Sequence, residues 1–251
     1  MKLKHGLKIA DKMPILRFEL EGLVNSFRIP ETATYQHTEL TPKKTHIAGM
    51  IANIMGKTEG FYYNTLLSSI RIGVIPLRLE NLFIDLWQYK KWKKSNIGGL
   101  AVVKREKLFK PSYLIYCETE DNDLFRDIKD SLKRPKRIPS IGLDDELVII
   151  HSVKKVKDNY TVTRKERTHT TFPYILADKY EFNPTFSREL KPMIIFPPRT
   201  TITPLYFDMG PPRRVVRSIE IVEFFADGYF DITFSSKQEI LLDGERGIVL
   251  W

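Results

Sequence analysis

The sequence is poor in cysteine, in long apolar runs and in closely spaced histidines. Cys117 is the only cysteine, so a disulfide within the chain and a thiolate zinc cage are excluded. The five histidines lack the one-turn spacing that puts two imidazoles on one helix face, so we expect no metal and no cofactor. No window of about eighteen apolar residues occurs, and the start, MKLKHGLKIADKMP, lacks the apolar core of a secretion signal. We therefore expect a cytoplasmic protein that does not contact a membrane.

The composition favours a folded protein with a polyanionic partner. Hydrophobic residues make up 42% of the 251 residues, enough for one large domain or two small ones. Lysine and arginine outnumber the acidic residues by 40 to 31, a net charge of +9. Basic proteins gain affinity for nucleic acid by releasing condensed counterions, and mixed basic and aromatic clusters suit phosphate contact and base stacking. Such clusters occur around Trp92 and in the KRPKR run at 133–137.

The first half of the chain alternates strand and helix patterns. Leu16, Phe18 and Leu20 alternate with charged residues, which predicts a strand ended by Gly22, and a polar loop follows at 26–41. Thr41 and Pro42 then predict the N-cap and first turn of a helix. Its apolar stripe is Ile47, Met50, Ile51 and Ile54, and Gly56 closes it.

The next segments predict strands at 68–80, 98–104 and 111–118, a helix capped at Asp121 or Asn122 and ended by Pro135, and a strand at 146–153. This order is the α+β, ferredoxin-like plan over residues 1–153, with a basic hairpin inserted near 85–100.

The remaining residues, 154–251, predict a smaller β-rich unit. Their many prolines exclude a long helix, and short strand patterns recur, among them MIIF at 193–196. Asp227-Gly228 and Asp243-Gly244 each stand between strand patterns, so we expect a hairpin at each.

Three segments of the chain resemble the Cas-five family of CRISPR-associated RAMP proteins. Gly22 followed by Ser26-Phe27-Arg28 and Pro30 is similar to the glycine and Phe-Arg signature after the family's first strand. Thr41 to Gly49, continuing to Gly56, is similar to the opening of its first helix. Pro135, Pro139, Gly142, Asp144 and Asp145 resemble the stretch after its second helix.

This resemblance implies a noncatalytic RNA-binding subunit of a type I Cascade complex in antiviral defence. Such a subunit caps the five-prime handle of the crRNA and carries a protruding basic hairpin called the thumb. It contacts the backbone subunit and the large subunit, and it meets target DNA only indirectly. The resemblance also implies that the chain is not a homo-oligomer by itself. The equivalent subunit of a type III complex is an alternative.

The candidate RNA-binding residues fall in four groups, each with a structural alternative. Free amides and the dipole of the first helix turn attract phosphate, but solvated lysines are also common there. A phenylalanine can stack on a base or fill the core, and cations that end a helix are stabilised by its dipole without any ligand. The candidates are Phe27 and Arg28; Lys43, Lys44 and Thr45; Lys90, Lys91, Trp92, Lys93 and Lys94; and Arg134, Lys136 and Arg137.

No catalytic residue is assigned, but Tyr35 and His37 support one enzymatic alternative. A histidine can act as a general acid or base, and nearby Lys43 could stabilise a phosphorane. The alternative function is therefore a metal-independent endoribonuclease that processes pre-crRNA.

Overall fold

The computed structural model describes residues 13–30, 32, 34–93, 96–157, 160–174, 180–186, 199–208, 214–223, 228–234 and 239–251. The described strands are, in chain order, β1 Ile15–Gly22, β2 Val24–Asn25, β3 Tyr35–Gln36, β4 Arg71–Arg78, β5 Asn81–Lys93, β6 Asn96–Phe109, β7 Ser112–Glu118, β8 Val148–Lys155, β9 Thr161–Thr163, β10 Lys165–Thr168, β11 Phe172–Tyr174, β12 Tyr180–Phe186, β13 Arg199–Asp208, β14 Arg214–Glu223, β15 Gly228–Phe234, β16 Ile240–Asp243 and β17 Arg246–Val249. The helices are α1 Lys44–Ile54, α2 Glu59–Phe61, a π-helical turn Tyr62–Leu66, α3 Leu67–Ser69 and α4 Asn122–Lys133. Within the described part of the chain, no helix is long and apolar enough to cross a membrane.

The first sheet has four antiparallel strands in the order β4-β7-β1-β8. The predicted alternation in β1 is confirmed, since Leu16, Phe18 and Leu20 are buried while the charged residues between them are only partly so. These three side chains share a core with α1 and α4, which places both helices on the same face of the sheet.

Helix α1 has the predicted apolar stripe but not the predicted start. Ile47, Met50, Ile51 and Ile54 are all buried, and Gly56 ends the helix region with a φ of +67°. The prediction that Thr41 caps the helix is wrong, because the helix begins at Lys44. The Thr41 hydroxyl instead donates a hydrogen bond to the Glu223 carboxylate over 2.9 Å.

Helix α4 begins where its sequence predicts. The Asp121 carboxylate accepts from the backbone N–H groups of Asp123 and Leu124, at 2.8 and 3.1 Å, so Asp121 is confirmed as the N-cap. The buried face of the helix consists of Leu124, Phe125, Ile128, Ser131 and Leu132. The amphipathic pattern therefore fixes how this helix packs.

A long antiparallel hairpin, β5 and β6, contains the basic segment predicted between two strands. Its pairing runs from Asn81 opposite Phe109 to Lys93 opposite Asn96, so it starts earlier and ends later than the expected 85–100. The base of β6 also pairs with β2 and, in parallel, with β3.

The C-terminal third is β-rich, as expected, and forms small sheets. The described strands pair in the orders β10-β15-β12, β11-β14-β13 and β17-β16-β9. The turn at Asp243-Gly244 joins β16 to β17, and Gly244 has a φ of +66°, so this hairpin is confirmed. The hairpin predicted around Asp227-Gly228 is wrong, because β14 and β15 lie in different sheets. Residues 193–196 lie outside the described part.

The C-terminal strands pack on the first sheet and share its outer core. Ile72 and Trp251 exchange backbone hydrogen bonds of 3.0 and 3.1 Å. A Cβ added to Gly73 would lie 2.8 Å from the Ile248 side chain, so β4 needs glycine there to let the last strand approach. Residues before and after 153 therefore contribute to one packed interface.

Candidate nucleic-acid interface

The start of α1 is a buried ionic cluster. The Lys43 ammonium is 1% exposed, contacts the Glu39 carboxylate at 3.1 Å and donates to Glu223. Glu223 also accepts from Thr41 and, over 2.9 Å, from Arg199. Burial would raise the pKa of Glu223, but the Lys43 and Arg199 cations outweigh it and lower the pKa. A phosphate ligand and a solvated lysine both need an exposed ammonium, so both expectations for Lys43 are wrong.

Lys44 and Thr45 are also largely buried, so the first turn of α1 is not an open phosphate site. Burial lowers the pKa of Lys44 to about 8, and its ammonium lies 6.0 Å from the centre of the Tyr206 ring. The Thr45 carbonyl accepts from the Tyr62 hydroxyl over 3.2 Å. The expectation of exposed lysines at this helix end is wrong, because the C-terminal strands cover it.

His46 completes the turn as a neutral imidazole. Burial, and then the nearby Lys43 cation, lower the pKa of His46 to about 4. Its Nδ1 accepts from the Lys43 backbone N–H over 3.1 Å, which an unprotonated nitrogen requires. The ring also packs against Phe27, with 5.2 Å between the ring centres.

Phe27 and Arg28 point to different environments. Phe27 is 0% exposed and packs on Tyr113 as well as His46, so it fills the core and cannot stack on a base in this structure. Arg28 is exposed, and its guanidinium donates to the Thr32 carbonyl over 3.1 Å. Of this pair, only Arg28 is placed where a nucleic acid could reach it.

One face of the β5–β6 hairpin carries aromatic and cationic side chains. Trp87 and Tyr89 are stacked, with 5.4 Å between ring centres. The Arg105 guanidinium lies 4.9 Å from the centre of the Trp87 ring and pairs with Asp85. Paired residues of antiparallel strands share a face, so these side chains form one surface.

The opposite face of the hairpin exposes aliphatic side chains. Ile84, Leu86, Leu100 and Val102 are each more than half exposed. Gln88 pairs with Val102 and Lys90 with Leu100, so polar groups border the patch. An exposed patch of this kind marks an interaction surface more often than an isolated apolar side chain does.

The predicted lysines lie toward the tip of the hairpin. Lys90 and Lys91 are exposed on β5. The side chains of Trp92 and Lys93, and all of Lys94, lie outside what the structure describes, so their predicted RNA contacts stay predictions. At the base of the hairpin, buried Lys107 pairs with Glu146 at 3.1 Å, and Glu146 accepts from the Ser26 N–H at 2.7 Å. These contacts hold the hairpin against the loop after α4.

That loop places three further predicted cations at the surface. Arg134, Lys136 and Arg137 are exposed and follow the end of α4. The Lys136 N–H donates to the Ile54 carbonyl over 2.8 Å, which ties the segment to the end of α1. Gly142 then turns the loop with a φ of +100°, where a Cβ would lie 2.3 Å from the Ser26 carbonyl oxygen.

Two clefts open beside this loop. The first has a volume of about 790 Å³ and lies between α1, the helical segment 58–63 and residues 137–144. It brings together Thr45 and Arg137, two predicted residues that are remote in sequence. The second, of about 570 Å³, lies at the base of the hairpin and is lined by Arg28, His37, Trp87 and Arg105.

Tyr35 and His37 meet a carboxylate that sequence reasoning missed. His37 Nδ1 lies 3.0 Å from the Glu106 carboxylate, and the Tyr35 and His37 ring centres are 4.6 Å apart. Partial burial, and then the Glu106 charge, raise the pKa of Tyr35. Glu106 and Arg105 lie on β6, almost seventy residues from His37 in sequence, and carry no local motif. No group of three or more metal-ligating side chains occurs among the residues that the structure places.

Comparison with known proteins identifies the chain's relatives. A family model described as CRISPR-associated protein (Cas_Cas5) matches residues 15–181. No curated protein matches. A structure described as a CRISPR RNA-guided surveillance complex is 14% identical, with a TM-score of 0.53 over 89% of this chain and 92% of that chain. A CRISPR protein from Archaeoglobus fulgidus is 13% identical, with a TM-score of 0.51 over 94% of this chain and 99% of that one.

A third structure, described as a Cas protein, is 19% identical with a TM-score of 0.39 and matches 53% of this chain. The match spans 59% of that relative's length. The two structures with the higher TM-scores share the fold of this chain. Because the family model matches well over half of the sequence, the chain belongs to the CRISPR-associated Cas5 family.

Proposed function

We propose that the chain is a noncatalytic RNA-binding subunit of a type I CRISPR effector complex, Cascade, and that it caps the five-prime handle of the crRNA. Membership of the Cas5 family supports this proposal. So does the shared fold of a protein from an RNA-guided surveillance complex. In such a complex the chain contacts the backbone and large subunits and meets target DNA indirectly.

The observation that carries the proposal is the second cleft at the base of the hairpin. Its walls carry two guanidinium groups, Arg28 and Arg105, and the partly exposed Trp87 ring, together with three carboxylates. Cations position a nucleic-acid backbone, and an aromatic face accepts a base by stacking. Lys91 is exposed further along β5 and adds positive charge beyond the cleft, whereas Lys90 lies on the aliphatic face opposite Leu100.

The strand order supports the architectural part of the proposal. The first sheet reads strand, helix, two strands, helix, strand along the chain, with the first and third of these strands adjacent in the centre. This is the order of a ferredoxin-like domain. We infer that β5 and β6, inserted in its middle, are the thumb, and that their aliphatic face contacts a neighbouring subunit.

The RNA is held at the loops and hairpin and not on the sheet. RRM domains stack bases on aromatic residues of an open sheet face. Here the open end of the sheet carries Glu19 and Glu21, and Glu21 pairs with Arg78. Carboxylates there repel phosphate, so the two clefts beside the loop after α4, which also carry guanidinium groups, are the favoured path.

Replacing residues 86–104 by Asn-Gly tests the thumb assignment, because it removes Trp87 and most of the aliphatic face. The replacement leaves Asp85 opposite Arg105, and Asn-Gly favours a tight hairpin turn, so the remaining strands keep their register. We expect a folded monomer that no longer co-purifies with its backbone subunit and guide RNA. Normal assembly and guide content would contradict the proposal.

The His37–Glu106 contact favours one second candidate, a metal-independent endoribonuclease that processes pre-crRNA. A carboxylate at Nδ1 orients an imidazole for acid–base work, and Tyr35 lies beside it. Lys43 cannot stabilise the phosphorane, as first considered, because that lysine is buried in the ionic cluster. Arg28 or Arg105 would have to supply the positive charge instead. Incubation of the chain with labelled repeat RNA in EDTA separates the candidates, since only the enzyme gives a defined cut that His37→Ala abolishes.

A further inference from the structure

The first cleft has walls of distinct chemistry. Tyr62 and Tyr63 stand on one side with Phe207 of β13, and the loop bearing Arg137 forms the other. Tyr63 packs edge-to-face on Tyr62 at 4.7 Å and on Phe207 at 6.4 Å between ring centres. The cleft volume of about 790 Å³ lies in the range of roughly 300–1,000 Å³ that is typical of ligand sites.

The backbone that presents these tyrosines is irregular. Tyr62 to Leu66 form a π-helical turn between two short α-helical turns. Such turns are rare, and they occur often at functional sites because they alter the direction in which side chains project. The irregular turn is a feature of the backbone and is therefore an observation separate from the volume of the cleft.

The charges of the cleft distinguish between possible ligands. Lys57 and Arg137 contribute cations, but Glu59 and Asp144 contribute carboxylates to the same walls. Carboxylates repel a phosphate, so these walls do not favour a site for phosphate alone. A nucleobase carries N–H donors for carboxylates, a ring for stacking and, through its nucleotide, a phosphate for a guanidinium. The balanced charge and the aromatic wall together fit a nucleotide.

We propose that this cleft binds one unstacked base of a single-stranded RNA. Tyr63 and Phe207 supply the stacking surface, and Arg137 contacts the adjoining phosphate. The inference rests on the proposed function, since it assigns a further RNA contact to the same subunit. It is distinct from the second cleft, because the aromatic wall and Arg137 take no part there.

The test measures the affinity of the full chain for a short fluorescein-labelled single-stranded RNA by fluorescence anisotropy at low salt. We expect Tyr63→Ala and Phe207→Leu each to weaken binding by about tenfold, the size of one lost base stack. Tyr63→Phe keeps the ring and should bind like the wild type. Tyr229→Ala is the matched control, because it removes a partly exposed tyrosine from β15 instead. Thermal melts identify any variant that fails to fold.

A second set of RNAs, each with one abasic position, separates stacking from general damage. In the wild type, an abasic site at one RNA position should weaken binding by about the same factor as Phe207→Leu does. In the Phe207→Leu variant, the same abasic site should weaken binding little further. Photo-crosslinking of RNA that contains 4-thiouridine should mark the peptide with Tyr63.

Each other outcome overturns a defined claim. Full affinity of both ring variants for RNA would overturn the base pocket and leave the proposed function standing. Equal losses on every abasic RNA would also overturn the pocket, because they indicate a structural effect. A wild-type chain that binds no RNA would overturn the proposed function itself.

Discussion

Replacing Lys43 with methionine should destabilise the protein strongly. The Lys43 ammonium lies between the carboxylates of Glu39, at 3.1 Å, and Glu223, and all three side chains are at most 3% exposed. Methionine has a similar length but no charge. Glu223 would keep Arg199 and Thr41, whereas Glu39 would lose its cation. Burial already raises the pKa of Glu39 to about 7 despite Lys43, so the variant must bury a carboxyl group without a partner or protonate it.

The expected size follows from this geometry. Removing one partner of a buried ion pair costs about 3–5 kcal/mol, a large share of a typical total stability of about 5–15 kcal/mol. For a chain of this size, each kcal/mol shifts the melting temperature by roughly 2–4 °C, so we expect a fall of about 6–20 °C. In the double variant with Glu223→Gln, the loss should be clearly smaller than the sum of the single losses, since the two groups interact.

The adjacent lysine provides a matched control. Lys44 is buried to a similar degree, but the described part of the chain gives it no carboxylate partner. Lys44→Met removes a desolvated charge and should leave the melting temperature unchanged or raise it. Circular-dichroism melts at pH 7 compare the two variants. A Lys43→Met protein that melts with the wild type, or equal falls for both variants, would refute the buried-cluster reasoning.

Further expected outcomes concern pH, salt and surface charge. Burial lowers the pKa of Lys44 from 10.5 to about 8, so between these pH values the unfolded chain binds more protons than the folded chain. The wild type should therefore gain stability relative to Lys44→Met as the pH rises. A constant difference between their melting temperatures from pH 8 to 10 would count against this. RNA affinity of the isolated chain should fall steeply with salt, with a log–log slope of about −0.7 for each phosphate contacted, and a flat titration would contradict it. Lys91→Gln should weaken RNA binding and reduce that slope, whereas Lys157→Gln, which changes another exposed lysine, should not.

Sequence patterns correctly predicted the elements that depend on interactions between residues close in sequence. The alternation in β1, the apolar stripe of α1 and the Asp121 cap of α4 each depend on residues within a few positions. They were found because a strand or helix imposes its own period on the sequence. The turn at Asp243-Gly244 belongs to the same class, since a positive φ favours glycine.

The wrong predictions concern side chains and strands whose partners are distant in sequence. Thr41 reads as a helix cap, but Glu223 lies 182 positions later and takes its hydroxyl. The same carboxylate turns Lys43 from an expected phosphate ligand into a buried ion-pair partner. Likewise, β14 and β15 find partners in separate sheets instead of forming a hairpin, which only the tertiary pairing decides. A single sequence contains no local signal for these contacts.

The most direct test of the RNA-binding role is to sequence the RNA that co-purifies with the tagged chain from cells that carry its CRISPR locus. The account predicts guide RNAs that share one repeat-derived five-prime end, and predicts their loss when residues 86–104 are replaced by Asn-Gly. The absence of guide RNA, or RNA with scattered five-prime ends from unrelated transcripts, would contradict it.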